Sequence, residues 1–392
     1  MTTGATPFTS PLEAARALAP RIRSLADRIE AERRLPDDLV HEIATAGLFK
    51  MAVPVQNGGG GVDVLTTLRV VEEVARADGS TGWCVAMGVN TFRQSAQFGE
   101  EARLRLFYAD PIGVSAGSAN PRGVAVAVQG GYRVTGHWFF ASGCMHSSTL
   151  HGACRVFDGD APRLLPNGEP EIRVAYFHPK PVAQIIDTWS VTGMRGTGSH
   201  DIEVNDLFVP EEHTFSAAER RGRLTGPVNA IPSFDLSGCN FAAVGLGVAR
   251  AAIDALVELA STKTPRASSG LLRERATVQA QVGEAEAVLR SGRAFLFEVA
   301  GELWDGVAAG RPVMPRQRAE LRLAMTHAAQ SAAKATHLMS VAAGTTSIFD
   351  SSPLERYARD AEVVSRHVQL QYVNYEAVGR SLLGLESNSP LF

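Results

Sequence analysis

Residues 124–135 read Val-Ala-Val-Ala-Val-Gln-Gly-Gly-Tyr-Arg-Val-Thr. Two short strand-like runs flank a Gln-Gly-Gly turn, which is a pattern typical of a β-hairpin. Further runs of this kind occur at 173–177 and 201–204, and turn residues such as those at 166–168 separate them. The sequence therefore predicts an all-β unit, a small barrel or a sandwich, in the middle of the chain.

Helical periodicity is found on both sides of this β unit. On the N-terminal side, Leu18, Ile22, Leu25 and Ile29 recur at the spacing of one helix face. On the C-terminal side the chain is rich in alanine, and its long helices are joined by short links, which favours an antiparallel bundle. Four segments are predicted to form these helices: 241–260, 276–309, 316–343 and 356–383.

The order of helices, strands and again helices predicts an α+β protein with three domains. We expect an N-terminal helical domain at 1–110, a middle β-domain at 111–220 and a C-terminal four-helix bundle at 221–392. A Rossmann fold is disfavoured, because it needs strands and helices in alternation. Residues 196–198 read Gly-Thr-Gly but precede a strand rather than a helix, so they are a poor dinucleotide-binding sequence.

Composition and charge exclude several classes of function. The chain has 45% hydrophobic and 20% charged residues and a net charge of -3, so neither nucleic acid nor an anionic membrane is an expected partner. We expect neither a secretory signal nor a membrane span. The 4 cysteines have no CxxC spacing and HExxH is absent, so we expect reduced thiols, no metal site and a cytoplasmic location.

Five segments together resemble the acyl-CoA dehydrogenase superfamily, and they occur in the family's order. The branch with the greatest likeness is that of the flavin-dependent monooxygenases, which holds the oxygenase components of two-component phenol hydroxylases, dibenzothiophene monooxygenase and the amino-sugar nitrososynthases. The segment at 189–201 is the most specific of the five. The segments are 44–54 (ATAGLFKMAVP), 77–83 (ADGSTGW), 131–143 (GYRVTGHWFFASG), 189–201 (WSVTGMRGTGSHD) and 354–360 (LERYARD).

The resemblance implies a fold, a cofactor and an assembly. The three domains would be those of an acyl-CoA dehydrogenase, usually assembled as a homotetramer. Reduced FMN or FAD, supplied by a separate flavin reductase, would lie between the β-domain and the bundle and be held partly by a partner subunit. Reaction with O2 would give a C4a-hydroperoxyflavin that hydroxylates an aromatic, polycyclic or amine substrate.

An acyl-CoA dehydrogenase or oxidase acting on an acyl thioester is the alternative enzyme on this fold. In that family a glutamate base follows an Arg-Asp pair, and counting from residues 359–360 places Val368 at the base position, with His367 before it. A valine cannot abstract a proton, whereas the monooxygenase branch has a histidine in this stretch. By resemblance His367 is the candidate catalytic base, and a histidine capped by a neighbour inside the bundle is the structural alternative.

Ser142 is the second candidate catalytic residue. Residues 139–143 read Phe-Phe-Ala-Ser-Gly, where dehydrogenases usually have Trp-Ile-Thr-Asn-Gly. In the monooxygenases this serine hydrogen-bonds flavin N5, and an acceptor that holds the N5 hydrogen in a dry pocket slows the loss of hydrogen peroxide. A serine that closes a strand turn is the alternative interpretation.

The same resemblance assigns other positions to the flavin or the substrate. Arg266 would bind the phosphates of a neighbouring subunit's flavin. Many phenol hydroxylases of this branch have a histidine near the position of Asn90, and its absence here leaves N-hydroxylation, S-oxidation and polycyclic substrates open. The remaining candidates for flavin contacts are Ser142, Trp189, Arg195, Gly196, Thr197 and Ser199, and those for substrate contacts are Asn90, Trp83 and His146.

A third interpretation is a catalytically silent member of the family that binds flavin or acts as a scaffold. It predicts that Ser142 and His367 are dispensable, since neither side chain would take part in chemistry. The oxygenase interpretation predicts the opposite for both residues.

Overall fold

The computed structural model describes residues 10–178, 183–218, 226–266 and 268–385. Within these residues, eleven α-helices and eight β-strands follow one another as helices, strands and again helices. No helix in this part of the chain is both long enough and apolar enough to cross a bilayer. The α+β architecture predicted from the sequence is confirmed.

The elements have the following bounds. The α-helices are α1 (Pro11–Glu32), α2 (Asp37–Thr45), α3 (Val64–Ala77), α4 (Gly79–Gln94), α5 (Glu100–Phe107), α6 (Pro227–Ala230), α7 (Ser233–Thr262), α8 (Ala276–Ala308), α9 (Pro315–Ala343), α10 (Pro353–Ser365) and α11 (Asn374–Leu382). The strands are β1 (Ser115–Val128), β2 (Gly131–Trp138), β3 (Thr149–Asp158), β4 (Ala161–Pro162), β5 (Ile172–Phe177), β6 (Gln184–Ile186), β7 (Asp201–Pro210) and β8 (Thr214–Ser216).

Apolar side chains form two separate clusters. The larger cluster joins α1–α5 with α7–α10, so the N-terminal and C-terminal helices share one hydrophobic core. The smaller cluster fills the sheet unit. Helix α7 packs against α3, α4, α9 and α10, and residues 241–249 are buried around its whole circumference. The N-terminal and C-terminal helices are therefore not separate in their packing. The division into three domains at the predicted bounds stays a prediction.

The strands form one eight-stranded sheet with the order β6-β7-β2-β1-β3-β5-β8, and β4 pairs with β3. The predicted hairpin is confirmed, because β1 and β2 pair antiparallel with Val124 opposite Thr135 and Val128 opposite Gly131. β1 and β3 pair in parallel, which the alternation along single strands does not reveal. The middle unit is all-β as expected, and its sheet is mixed.

Trp138 fills the interior of the sheet unit. Its indole is fully buried, and Nε1 donates a hydrogen bond to the Ala153 carbonyl at 2.8 Å. Gly123, Gly136 and Gly152 line the ring so closely that a Cβ atom at any of them would collide with it. The missing side chains at these three glycines therefore create the space that the indole occupies.

The segment 356–383 is two helices rather than the single helix predicted from the sequence. A turn-rich connection at 366–373 separates α10 from α11. Gln369 holds this connection, because its side-chain amide donates to the Phe234 carbonyl and, at 2.9 Å, to the Ser237 hydroxyl. Apolar residues keep the helical period across the break, which is why the pattern predicted one helix.

Gly152→Ala should lower the free energy of unfolding by about 1–3 kcal/mol, because the added methyl group overlaps the Trp138 ring. Combining it with Trp138→Leu should recover part of the loss, so the two effects should depart from additivity by about 1 kcal/mol or more. Urea unfolding followed by far-UV circular dichroism measures both. Gly283→Ala is the control, since no atom lies near its Cβ position, and it should be neutral or stabilising. Strict additivity would contradict the packing around Trp138.

Candidate active site

A row of buried side chains lies where the sheet meets α4. Trp83 Nε1 is 3.1 Å from Ser142 Oγ, and Ser142 Oγ is 2.7 Å from Ser199 Oγ. Ser199 Oγ is 2.7 Å from Thr197 Oγ1, and Thr197 Oγ1 is 2.8 Å from the Met194 carbonyl oxygen. We call Trp83, Ser142, Ser199 and Thr197 the hydroxyl row. All four residues were selected from the sequence, and the structure brings them into contact.

Backbone hydrogen bonds hold residues 141–143 against residues 197–200. The Gly143 amide donates to the Thr197 carbonyl at 2.8 Å. Phe140 has a φ of 63°, a left-handed conformation that turns the chain sharply after β2. This turn and these bonds place the two serines of the hydroxyl row opposite each other.

The direction of the hydrogen bonds in the row follows from its two ends. The Trp83 indole can only donate, and the Met194 carbonyl can only accept. Thr197 therefore gives its hydrogen to Met194, and Ser199 gives its hydrogen to Thr197. Ser142 in turn gives its hydrogen to Ser199 and accepts one from Trp83. Ser142 keeps one unused lone pair and has no hydrogen left, so it is only an acceptor for any further group.

Asp360 fixes the far end of the row. Its Oδ1 accepts a hydrogen bond from the Met194 amide at 2.5 Å, and Met194 has a left-handed φ of 56°. A non-glycine residue adopts this conformation only at a cost, which the buried hydrogen bond offsets. Burial raises the pKa of Asp360 to about 7, against the opposing effect of the Met194 amide. Because Asp360 belongs to α10, the loop with Ser199 is attached to the helix that leads to His367.

Three rings form a cluster beside the row. The Trp83 indole stacks on Phe241, with ring centroids 4.2 Å apart and an interplanar angle of 10°. The His367 ring meets Trp83 edge-on at 5.3 Å and Phe241 edge-on at 4.8 Å. His367 lies in the connection between α10 and α11. The two candidate catalytic residues, Ser142 and His367, thus contact the same indole.

His367 is neutral in this environment. Burial lowers the pKa of its imidazole to about 4. Nδ1 accepts a 3.4 Å hydrogen bond from the backbone amide of Gln369. The hydrogen of the neutral ring is therefore on Nε2. Moving the hydrogen to Nδ1 breaks this bond and leaves the buried Gln369 backbone amide without its acceptor, which costs about 1–3 kcal/mol. Nε2 can therefore present a donor or, after that shift, a basic lone pair.

Other candidate flavin contacts lie around the Met194 end of the row. Trp189 Nε1 donates to the Met194 carbonyl at 3.1 Å. Arg195 approaches Glu30 of α1, with 3.5 Å between the charged atoms, and Gly196 is buried against the same helix. Arg195 and Gly196 thus face α1, and their roles toward a flavin stay predictions.

Two candidates lie apart from the hydroxyl row. Arg266 is exposed and follows α7, which extends about 30 Å beyond Phe241. His146 is buried behind Gly143, and its Nε2 has no hydrogen-bond partner among the described residues. Burial lowers the pKa of His146 to about 4.

Asn90 joins α4 to α7. Its Oδ1 accepts a hydrogen bond from Asn240 Nδ2 at 2.8 Å. Asn240 and Phe241 are not predicted as site residues from the sequence, because the helical pattern around them indicates only a core. The one available signal was Asn240 itself, a polar residue at the start of the apolar run 241–249. Asp360 was also missed as a site residue, since its partner is a backbone amide.

The chain matches two family models. Residues 12–107 match the model described as acyl-CoA dehydrogenase, N-terminal domain, and residues 239–372 match the acyl-CoA dehydrogenase, C-terminal domain. The fold and the site therefore define a protein of the acyl-CoA dehydrogenase class.

Known relatives narrow the class further. Indole-3-acetate monooxygenase of Pseudomonas putida is 33% identical over 368 residues, which cover 93% of this chain and 91% of the relative. The flavin-dependent monooxygenase oxygenase subunit HsaA of Rhodococcus jostii is 29% identical and covers 90% of this chain and 92% of its own. The structure of XiaF from Streptomyces sp. in complex with FADH2 and glycerol has a TM-score of 0.88 at 26% identity, with 97% and 96% coverage.

The chain belongs to the flavin-dependent monooxygenases of the acyl-CoA dehydrogenase superfamily, and it is an oxidoreductase. Val368, at the position of the dehydrogenase base, is an apolar side chain that is 46% exposed. The site thus lacks a carboxylate at that position, in agreement with the monooxygenase assignment.

The residues present fit a flavin. Phe140 is 68% exposed beside the start of the hydroxyl row, and it meets Trp189 edge-on at 6.0 Å. An exposed aromatic side chain next to a buried polar group is a surface that a flat ring can cover. Ser142 offers the unused lone pair that a ring N–H group needs. Phe140, Ser142 and Trp189 are the residues that would hold the ring.

Three buried histidines should make the fold sensitive to acid. Burial lowers the pKa of His146, His151 and His367 to about 4, whereas unfolded histidines titrate near 6.5. Unfolding between these values takes up protons, so their stabilising effect is full above about pH 6.5 and is lost as the pH falls toward about 4.

His146→Gln should therefore reduce the slope of unfolding free energy against pH by up to about 1.4 kcal/mol per pH unit between pH 6 and 5. Urea unfolding at half-unit steps of pH measures the slope. His41→Gln, which removes an exposed histidine, is the control and should leave the slope unchanged. A slope in His146→Gln equal to that of the wild type would show that His146 is not buried as a neutral ring.

Proposed function

We propose that this protein is the oxygenase component of a two-component system, which receives reduced FMN or FAD from a separate reductase and uses O2 to hydroxylate an aromatic substrate. The observation that carries the proposal is the unused lone pair of Ser142. Every polar hydrogen in the hydroxyl row is already donated to an acceptor within the protein. When bound, the reduced flavin supplies the electrons that activate O2.

The Ser142 acceptor suits a reduced flavin better than an oxidised one. N5 carries a hydrogen in the reduced ring, whereas N5 of the oxidised ring can only accept. Ser142 can accept a hydrogen bond from N5 of the reduced ring without any change. To donate to N5 of the oxidised ring, it must break its hydrogen bond to Ser199. Preference for the reduced form is the property that a component without its own reductase needs. By holding the hydrogen on N5, Ser142 also opposes the release of hydrogen peroxide.

His367 is proposed to act on the substrate. Its ring lies on the same indole as Ser142, so a substrate in this cluster would be close to both side chains. With its hydrogen on Nδ1, the neutral imidazole can take a proton from a hydroxyl or amine group through Nε2. Its lowered pKa keeps the ring unprotonated at neutral pH, and it also makes Nε2 a weaker base than that of an exposed imidazole.

The aromatic cluster favours a substrate that contains an aromatic ring. Trp83, Phe241 and His367 present ring faces and edges, which bind another ring in stacked or edge-on geometry. One relative is named for indole-3-acetate, and an indole ring is therefore the first candidate here. Polycyclic and amine-bearing substrates are the alternatives.

We also propose a homotetramer located in the cytoplasm. Arg266 follows α7, which extends about 30 Å beyond Phe241, and this separation favours binding of Arg266 to the flavin phosphates of a neighbouring subunit. The cysteines are buried free thiols, as expected in a reducing compartment.

Ser142→Ala should divert turnover from product to hydrogen peroxide by about tenfold or more, because N5–H loses its acceptor. Photoreduced FMN or FAD, O2 and indole-3-acetate or a phenol are mixed with the protein, and product and peroxide are both quantified. Ser148→Ala removes a hydroxyl from the same loop whose partner is the Val114 carbonyl, so it should behave as wild type. An unchanged ratio of product to peroxide in Ser142→Ala would support the silent-member interpretation instead.

His367→Gln should slow hydroxylation by about 100-fold, since glutamine can donate a hydrogen bond but cannot act as a base. Anaerobic binding of reduced FMN should change by less than about threefold, because His367 is not among the residues proposed to hold the ring. In the wild type the rate should stay level from pH 8 to 6 and fall only as the pH approaches the His367 pKa of about 4.

His337→Gln, at an exposed position of α9, is the matched control for this substitution. A His367→Gln enzyme with the wild-type rate would remove the base role from His367.

A further inference from the structure

Arg93 is a buried cation whose known partners are all neutral. Its side chain is 6% exposed, and Nη2 donates to the carbonyl oxygens of Val228 at 2.7 Å and Ile231 at 2.9 Å. Nε and Nη1 are buried and have no hydrogen-bond partner among the residues that the structure describes. A buried charge with unsatisfied N–H groups is costly, which indicates that a partner is missing from this site.

The guanidinium stays charged at neutral pH. Burial lowers the pKa of Arg93 to about 10, and no carboxylate in the described part of the chain counteracts this shift. The missing partner should therefore be an anion, because a neutral acceptor would leave the charge uncompensated.

Arg93 lies near the C-terminal end of α4, where its hydrogen bonds reach Val228 of α6 and Ile231 just before α7. The Trp83–Phe241 stack is at the other end, and the Asn90–Asn240 hydrogen bond lies between. Later residues of α4 meet earlier residues of α7, so the two helices run antiparallel here. Over about 15 Å of α4, the buried side chains are thus first an aromatic ring, then an amide and finally a cation.

The two side-chain amides of Asn90 and Asn240, called here the amide pair, also have unsatisfied hydrogen-bonding groups. Asn90 Nδ2 and Asn240 Oδ1 are buried, and neither has a hydrogen-bond partner within the described residues. In that part of the chain, five buried polar atoms without a partner come from residues 90–97 alone: Asn90 Nδ2, Arg93 Nε, Arg93 Nη1, Ser95 Oγ and Gln97 Oε1. A polar ligand would therefore gain more hydrogen bonds at this end of α4 than a purely apolar one.

We propose that Arg93 binds the carboxylate of an aromatic acid whose ring contacts Trp83 and Phe241, so that the substrate class is that of short-chain aromatic acids. The inference rests on the proposed function, since it takes the ring as the part that is oxygenated. A carboxylate can accept two parallel N–H bonds from one guanidinium.

A structural role for Arg93 predicts a different response. An arginine that only ties residues 228–231 to α4 would stabilise the interface without regard to the charge of a ligand. Its replacement would then weaken the binding of acids and of their neutral amides to the same extent.

The test compares acids with their amides. Phenylacetate, indole-3-acetate and indole-3-propionate, each paired with its primary amide, are titrated into protein saturated with reduced FMN under anaerobic conditions. Wild type should bind at least one acid about tenfold or more tightly than its amide. Arg93→Gln should weaken binding of that acid by about 30-fold and of its amide by less than about threefold. Arg93→Lys keeps the charge and should retain a preference for the acid.

Arg316→Gln removes an arginine that is 87% exposed, and it should leave all affinities unchanged. If wild type prefers none of the acids, or if Arg93→Gln weakens an acid and its amide equally, the proposal is overturned. The wild-type and Arg93→Lys results decide the matter even if Arg93→Gln does not fold. Because no O2 is present, a bound acid that is later not hydroxylated would count against the proposed function and not against the anion site.

Discussion

The hydrogen bond from Ser142 to Ser199 determines what the centre of this site can bind. Each hydroxyl in the row has one hydrogen, and the Met194 carbonyl at the end of the row draws these hydrogens in one direction. Ser142 is left as an acceptor in a buried place, where an unmatched donor or acceptor is costly. A group that brings an N–H bond fits this position, and one that brings only a lone pair does not.

The rest of the fold keeps this bond in place. Ser142 lies in the loop that follows β2, and Ser199 lies in the loop that precedes β7. Backbone hydrogen bonds join these two loops. Asp360 of α10 binds the strained Met194, and Trp83 of α4 closes the row at the other end. Since α4 and α10 belong to the same helical core, the acceptor site depends on how the sheet unit sits against the helices.

Local patterns explain which parts could be predicted from the sequence. The hairpin at 124–135 and the helices follow from side-chain periods, which depend only on neighbours along the chain. The parallel pairing of β1 with β3 and the break at 366–373 depend on distant contacts, such as those of Gln369 with α7, and no local pattern contains them. The same limit explains why a carboxylate bound to a backbone amide, Asp360, was not singled out.

The candidate site shows the same division. Resemblance selected Trp83, Ser142, Thr197 and Ser199, but only the three-dimensional structure reveals that they form one directed row. Arg93 carried no signal in the sequence, because an arginine near the end of a helix is usually solvated. Its burial depends on contacts with residues 228–231, which lie far from it along the chain.

The most direct test of the Ser142 acceptor is nuclear magnetic resonance of reduced FMN labelled with 15N at N5 and bound to the protein without oxygen. In the wild type and in Ser148→Ala, the N5 signal should show a protonated nitrogen in a hydrogen bond, and in Ser142→Ala it should move toward the position of an N–H group without a partner. An N5 signal that is the same in the wild type and in Ser142→Ala would contradict the role of the hydroxyl row.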